Sequence, residues 1–183
     1  FVEHSPRYVD PGMVGAIVEW VEGPEKVGVF QNHDIDHVLE TAKLVGLDMV
    51  QLHGQEKPEY CETIQTYFPV IKVISISHET TASQIQEHLD VYAQSVDYFL
   101  FDTKIGAQEG GTGKTFNWDL ISKLYVVKPY FLSGGLSAEN ITDAIVKTST
   151  FPPMAFDVSS KIEESLGIKD FDKLSSLLEK LEI

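Results

Sequence analysis

"YFLFDTKIGAQEGGTGKTFNW", residues 98–118, runs from an apolar stretch through an aspartate and a threonine into a glycine-rich loop. Gly113-Lys114-Thr115 supplies the second half of a phosphate-binding loop of the form G-x-x-x-x-G-K-[ST], but the first glycine would fall on Gln108. Without it, the turn that aims successive N–H groups at a phosphate lacks its hinge. The stretch is therefore no nucleotide cradle. Its glycines, Gly106, Gly110, Gly111 and Gly113, suit either a lid that closes beside Asp102 and excludes water, or a connection without a role. What remains is an apolar strand that ends on a carboxylate.

The same pattern repeats outward in both directions. "KVGVFQN" (26–32), "DMVQLHG" (48–54), "VIKVISIS" (70–77), "YFLFDT" (98–103), "PYFLSGG" (129–135) and "MAFDVSS" (154–160) are short apolar runs. Between them lie helix-period segments. Ile35, Val38, Leu39 and Ala42 close on Gly46; a helix runs from about Pro58 to Phe68; Ile85, Leu89 and Tyr92 form the next face. Asn117 reads as the N-cap of another helix, Ile141, Ala144 and Ile145 mark one more, and the last begins near Phe171. Continuous apolar runs indicate strands buried on both faces, and strand–helix alternation indicates a parallel sheet with crossover helices.

Two architectures fit that pattern. A doubly wound sheet expects G-x-G-x-x-G after an early strand, and the sequence has none. A (β/α)8 barrel expects polar residues at the C-terminal ends of several strands. Gln51, His53, Asp102, Ser133, Gly134, Asp157 and Ser159 fall there, so the chain reads as an α/β, (β/α)8 TIM barrel forming one domain over 1–183. Six strands follow the first helix, and Phe1-Val2 supplies only the tail of another. The count leads to the expectation of an N-terminally incomplete barrel, with the first βα unit and most of the second strand, about 25–35 residues, absent.

Composition limits the partners. With 28 acidic against 14 basic side chains, the formal charge is −14, which argues against nucleic acid and acidic membranes. An anionic substrate would then require a local positive pocket. No run approaches the roughly 20 apolar residues of a membrane span, and no basic segment leads into a secretory apolar core. A single Cys suits a reducing cytoplasm.

Asp102, rising from an apolar strand, is a candidate general acid whose pKa burial would raise; the alternative is a residue capping its own turn through Thr103. "SGG" (133–135) and "DVSS" (157–160) end the last two strands, where barrels of this type often bind phosphate through backbone N–H groups. Gly134, Gly135, Val158, Ser159 and Ser160 are the candidate phosphate ligands, the serines adding hydroxyl donors. Arg7, in "HSPRYV", offers a planar fork for a carboxylate, and His53 is a ligand contact or a hydrogen-bonded rim residue. His33 and His37 are spaced i, i+4 as metal ligands on a helix would be, but no third ligand accompanies them and no metal is expected. Cys61 sits mid-helix and reads as a structural thiol.

"SPRYV", "KVGVFQN", "VQLHGQE", "FDT…GGTGKTFNW", "SGGLSAEN" and "DVSS…KD", in this order and over nearly the whole chain, resemble the phosphoribosylanthranilate isomerases of tryptophan biosynthesis. The resemblance implies a barrel that uses no metal or organic cofactor. The reaction is an Amadori rearrangement of N-(5-phosphoribosyl)anthranilate to 1-(2-carboxyphenylamino)-1-deoxyribulose 5-phosphate. By that resemblance Asp102 protonates the furanose ring oxygen, Arg7 holds the anthranilate carboxylate, Asp157 lines the sugar site, and Gly134, Gly135, Val158 and Ser159 surround the phosphate. Two positions depart from it. The family's base, a Cys in a Lys-Ile-Cys-Gly motif on the first strand, has no counterpart here, so this polypeptide by itself is expected to fall short of a complete isomerase. Lys161 follows "DVSS" where the family has Gly, either distorting the turn or adding a charge to it. The residues also leave open another phosphosugar barrel enzyme and a non-catalytic phospholigand-binding barrel.

Overall fold

The computed structural model describes residues 1–103 and 115–181. Gly106, Gly110, Gly111 and Gly113 of the expected lid lie outside the described residues. The chain divides into two compact units, Phe1–Val73 with Val91–Phe99 and Ile74–Asp90 with Leu100–Ile183.

The first unit contains α1 (Pro11–Val18), β1 (Val27–Phe30), α2 (Ile35–Val45), β2 (Met49–Leu52), α3 (Pro58–Gln65) and the start of β3 (Val70–Ile76). The second holds most of α4 (Ala82–Tyr92), the end of β4 (Tyr98–Thr103), β5 (Tyr130–Leu132), α5 (Ile141–Lys147) and β6 (Ala155–Phe156). It closes with β7 (Glu163–Ser165), β8 (Ile168–Lys169) and α6 (Phe171–Lys180). One sheet has the order β1-β2-β3-β4-β5-β6, and the pairs β1/β2, β2/β3 and β5/β6 are parallel. All six strand runs read from the sequence form strands of this sheet. The sheet comprises six strands among the described residues, the number read from the sequence.

Local chemistry accounts for most boundaries. In β3 every residue but Ser75 is buried, the double-sided burial that its apolar run implies. α2 buries Val38, Thr41, Ala42 and Val45 along one stripe and stops at Gly46, whose φ of 72° is the left-handed conformation glycine adopts without steric penalty. α3 ends at Gln65 rather than running on to Phe68. Asn117 does cap a helical segment, its side chain accepting from Asp119 N–H, but Trp118–Lys123 is a short 3-10 helix. The histidine pair differs from expectation. α2 starts at Ile35 after the N-cap Asp34, so His33 precedes the helix instead of sharing a face with His37. Their rings stack at 5.0 Å, and His33 Nδ1 accepts from Gln31 N–H. Sequence periodicity did not reveal α1, which buries none of its residues, nor the polar β7–β8 hairpin.

Buried in the first unit lies an ion pair that the apolar run "VIKVISI" conceals. Lys72 Nζ donates to Glu56 Oε2 at 2.7 Å, with both side chains almost completely buried (3% and 1% exposed). Lys72 also donates to Gly54 O at 2.8 Å and sits over the Tyr92 ring. Glu56 accepts from the N–H groups of Asn32 and Gly54, and its carbonyl accepts from the Tyr92 hydroxyl. Charge buried at this depth is tolerable only because each lone pair and proton has a partner. Burial works to raise the Glu56 pKa, yet the Asn32 N–H and the Lys72 ammonium outweigh it and hold the carboxyl below its ordinary 4.5.

Removing one partner strands the other charge. Lys72→Met is expected to lower the unfolding free energy by about 3–5 kcal/mol, measured by urea denaturation. Because the folded-state pKa of Glu56 is depressed, its contribution is complete above pH 4.5 and declines as pH falls through the lower folded-state value. In acid titrations the stability gap between wild type and Lys72→Met should therefore narrow below that pH; a constant gap would contradict the assignment.

Candidate active site

The second unit gathers the C-terminal ends of β4, β5 and β6. Ser133 N–H donates to Phe101 O and Asp157 N–H to Leu132 O, each at 2.8 Å, so backbone bonding continues past the strands into the segments that carry polar residues. Ser133 Oγ donates to Asp157 Oδ2 at 3.0 Å, tying the side chains that end β5 and β6. Asp102 is half-buried at the penultimate position of β4. Thr103, beside it, donates its hydroxyl to Gly134 O at 3.2 Å and accepts the Phe116 N–H at the same distance. Four sequence candidates, Asp102, Gly134, Gly135 and Asp157, thus fall on three stitched strand ends.

The turn after β5 is built for close backbone approach. Gly134 and Gly135 have φ of 91° and 78°. A Cβ on Gly134 would lie 2.7 Å from Thr103 Cβ and closer still to its amide nitrogen and hydroxyl, so no side chain fits. Asn140 secures the rest of the turn: Nδ2 donates to Gly135 O at 3.0 Å, and Oδ1 accepts Ser137 N–H at 2.9 Å.

After β6, Val158 is half-buried while Asp157, Ser159 and Ser160 are exposed. Ser160 opens a single 3-10 turn, Ser160–Ile162. Lys169, from the β7–β8 hairpin, reaches back to the Ser159 carbonyl at 3.1 Å and pairs with Glu163 at 3.2 Å. This ammonium, rather than Lys161, fastens the turn. Hydrogen bonding from Ser137, together with its own backbone and the nearby Lys161 and Lys173, holds the exposed Glu139 carboxyl below its ordinary pKa. Three lysines therefore crowd this end of a strongly acidic chain.

The remaining candidates belong to the first unit. Arg7 is exposed, its N–H donating to Ser5 Oγ. His53 is half-buried, and its N–H donates to Phe30 O at 2.9 Å. Cys61 is fully buried in α3, where burial first of all pushes its thiol up to about 11, so it is no thiolate base near neutral pH. Among the described residues no group of three or more His, Cys, Asp or Glu could hold a metal ion. Sequence reading missed Thr103 as a tether, Asn140, Lys169 and the Glu56–Lys72 pair. A lysine inside an apolar strand was the one signal available in advance.

Parallel strands whose ends carry a carboxylate and glycine turns fit the α/β barrel-like class of fold. The comparisons narrow it. Residues 1–180 match the family model described as N-(5'phosphoribosyl)anthranilate (PRA) isomerase. The N-(5'-phosphoribosyl)anthranilate isomerase of Crocosphaera subtropica is 35% identical over 181 residues, covering 98% of this chain and 84% of that protein. The crystal structure of phosphoribosyl anthranilate isomerase from Thermotoga maritima superposes with a TM-score of 0.84 at 33% identity, covering 100% of this chain and 85% of that one. A further neighbour is such an isomerase in complex with reduced 1-(o-carboxyphenylamino)-1-deoxyribulose 5-phosphate; its TM-score is 0.79 at 30% identity, with 100% and 84% coverage. The chain belongs to the N-(5'-phosphoribosyl)anthranilate isomerase family.

Gly134→Ala tests the turn. A left-handed φ on a non-glycine residue costs on the order of 1–3 kcal/mol, and the contact with Thr103 adds to it. The expected result is a lower midpoint of chemical unfolding; an unchanged midpoint would mean the turn relaxes freely.

Proposed function

We propose that this protein isomerises N-(5'-phosphoribosyl)anthranilate to 1-(2-carboxyphenylamino)-1-deoxyribulose 5-phosphate in tryptophan biosynthesis. Family membership carries the reading, and the joining of Asp102, Gly134 and Asp157 on adjacent strand ends supports it. The reaction is an internal redox exchange: C1′ is reduced as C2′ is oxidised, so no external electron carrier enters the scheme. Asp102, as general acid, gives its proton to the furanose ring oxygen; the C1′–O bond breaks and a Schiff base forms with the anthranilate nitrogen. Loss of the C2′ proton then yields an enol-amine that tautomerises to the ketose. We assign no base within this chain, since Cys61 is buried and protonated.

Gly134, Gly135, Val158, Ser159 and Ser160 are assigned to the phosphate, largely through backbone N–H groups, and Asp157 to the sugar hydroxyls. Lys169 adds positive charge beside Ser159, the local counterweight that an anionic substrate needs on a chain of net charge −14. Arg7 is assigned the anthranilate carboxylate from the family motif, and His53 a further substrate contact from its place just past β2. The glycines at 110, 111 and 113 are assigned as a lid from the glycine content of the loop that follows Asp102 in sequence. A single domain over the chain and a cytoplasmic location belong to the same proposal, the latter supported by the lone cysteine. No helix among the described residues is long and apolar enough to cross a membrane.

Product chromatography after incubation with N-(5'-phosphoribosyl)anthranilate tests the acid. Asp102→Asn keeps the shape and removes the proton, so kcat should fall by about 10²–10⁴ while KM stays within a few-fold. An unchanged kcat would remove Asp102 from the role.

A further inference from the structure

Gly134 and Gly135 have no side chains to restrain them, and both lie in the left-handed region. Their peptide planes are nevertheless held from outside. The Thr103 hydroxyl donates to the Gly134 carbonyl, and the Asn140 amide donates to the Gly135 carbonyl. A trans peptide is planar, with its N–H directed opposite to its C=O, and the described residues contain no cis peptide. Fixing the Gly134 oxygen therefore fixes the direction of the Gly135 N–H, and fixing the Gly135 oxygen fixes that of Leu136.

Both tethering side chains are committed to this task. Thr103 accepts the Phe116 N–H with the same oxygen, so its donor and acceptor capacities are both used outside its own strand. Asn140 stands at the N-cap of α5 yet makes no side-chain cap bond to that helix; its oxygen takes the Ser137 N–H inside the turn. An asparagine in this position ordinarily satisfies the helix's own orphan donors. Here it serves the loop instead.

We infer that Thr103 and Asn140 are positioning residues that aim the Gly135 and Leu136 N–H groups at the substrate phosphate. The inference rests on the phosphate reading of this turn proposed above. It makes the orientation of the anion-binding donors depend on a side chain adjacent to Asp102 in sequence, so the acid and the phosphate turn share one support.

Inorganic phosphate is the probe, because its binding does not require turnover. In calorimetry, Thr103→Val should weaken phosphate binding about tenfold, the effect of one lost hydrogen bond, while Thr103→Ser, which keeps the hydroxyl, stays within about threefold of wild type. In amide NMR of the wild type, phosphate should shift the Gly135 and Leu136 signals, and Thr103→Val should lose the Gly135 response. Where substrate is turned over, KM should rise about tenfold with kcat little changed. Asn140→Ala provides the same readout at Leu136 should Thr103→Val fail to fold. Wild-type affinity in both Thr103→Val and Asn140→Ala, failure of Thr103→Ser to restore binding, or absence of phosphate binding by the wild type would overturn the inference. Phosphate binding that depends on Thr103 in a protein without isomerase turnover would sustain it while removing the proposed activity.

Discussion

A parallel strand that stops leaves its last carbonyl facing a neighbour that continues, and the next N–H along that neighbour must meet it. This constraint places the polar residues of the structure. Phe30 O and Leu132 O, each the last of its strand, receive His53 N–H and Asp157 N–H, and Phe101 O, two residues before the end of β4, receives Ser133 N–H. In each case the donor is the first residue past a β-strand, and each is polar. Buried backbone groups have to be paired, so ladder bonding extends beyond the strand and carries those side chains to defined positions. Functional groups at strand ends gain their rigidity from that pairing.

The two units solve the packing beyond their strands in opposite ways. In the first, a charged pair fills the space: Glu56 and Lys72 collect N–H and C=O groups from Asn32, Leu52 and Gly54. Buried ions are costly to leave incomplete, and such a hub tolerates little substitution. In the second, space is removed rather than filled. Gly134 lets the backbone come so close to Thr103 that their polar groups bond directly. A glycine turn leaves N–H groups available to a ligand, whereas an ion pair consumes them, so anion binding belongs with the glycine solution.

Charge adds a second layer. A chain of net charge −14 repels an anionic substrate at long range, yet Lys161, Lys169 and Lys173 cluster around the end of β6 and the hairpin that follows it. Lys169 is partly neutralised by Glu163 and spends a proton on the Ser159 carbonyl. Its contribution to an anion is thus one of shape as much as of field. Lys161, the departure from the family pattern that sequence singled out, is not the residue that fastens the turn.

The six strands of the sheet, its parallel sense, the helix stop at Gly46, the helical start at Asn117 and the polar character of the strand ends are all legible in the sequence. Those features are local: burial periodicity, caps and turn residues are written within a few positions of where they act. The sequence did not reveal α1, which buries none of its residues, or the β7–β8 hairpin, whose residues are largely polar. Not legible there are the contacts of Thr103 with Gly134 across 31 positions, of Lys72 with Glu56 across 16, and of Lys169 rather than Lys161 with Ser159. Such pairings depend on which strand ends become neighbours and how closely their backbones approach, quantities that exist only once the sheet is assembled.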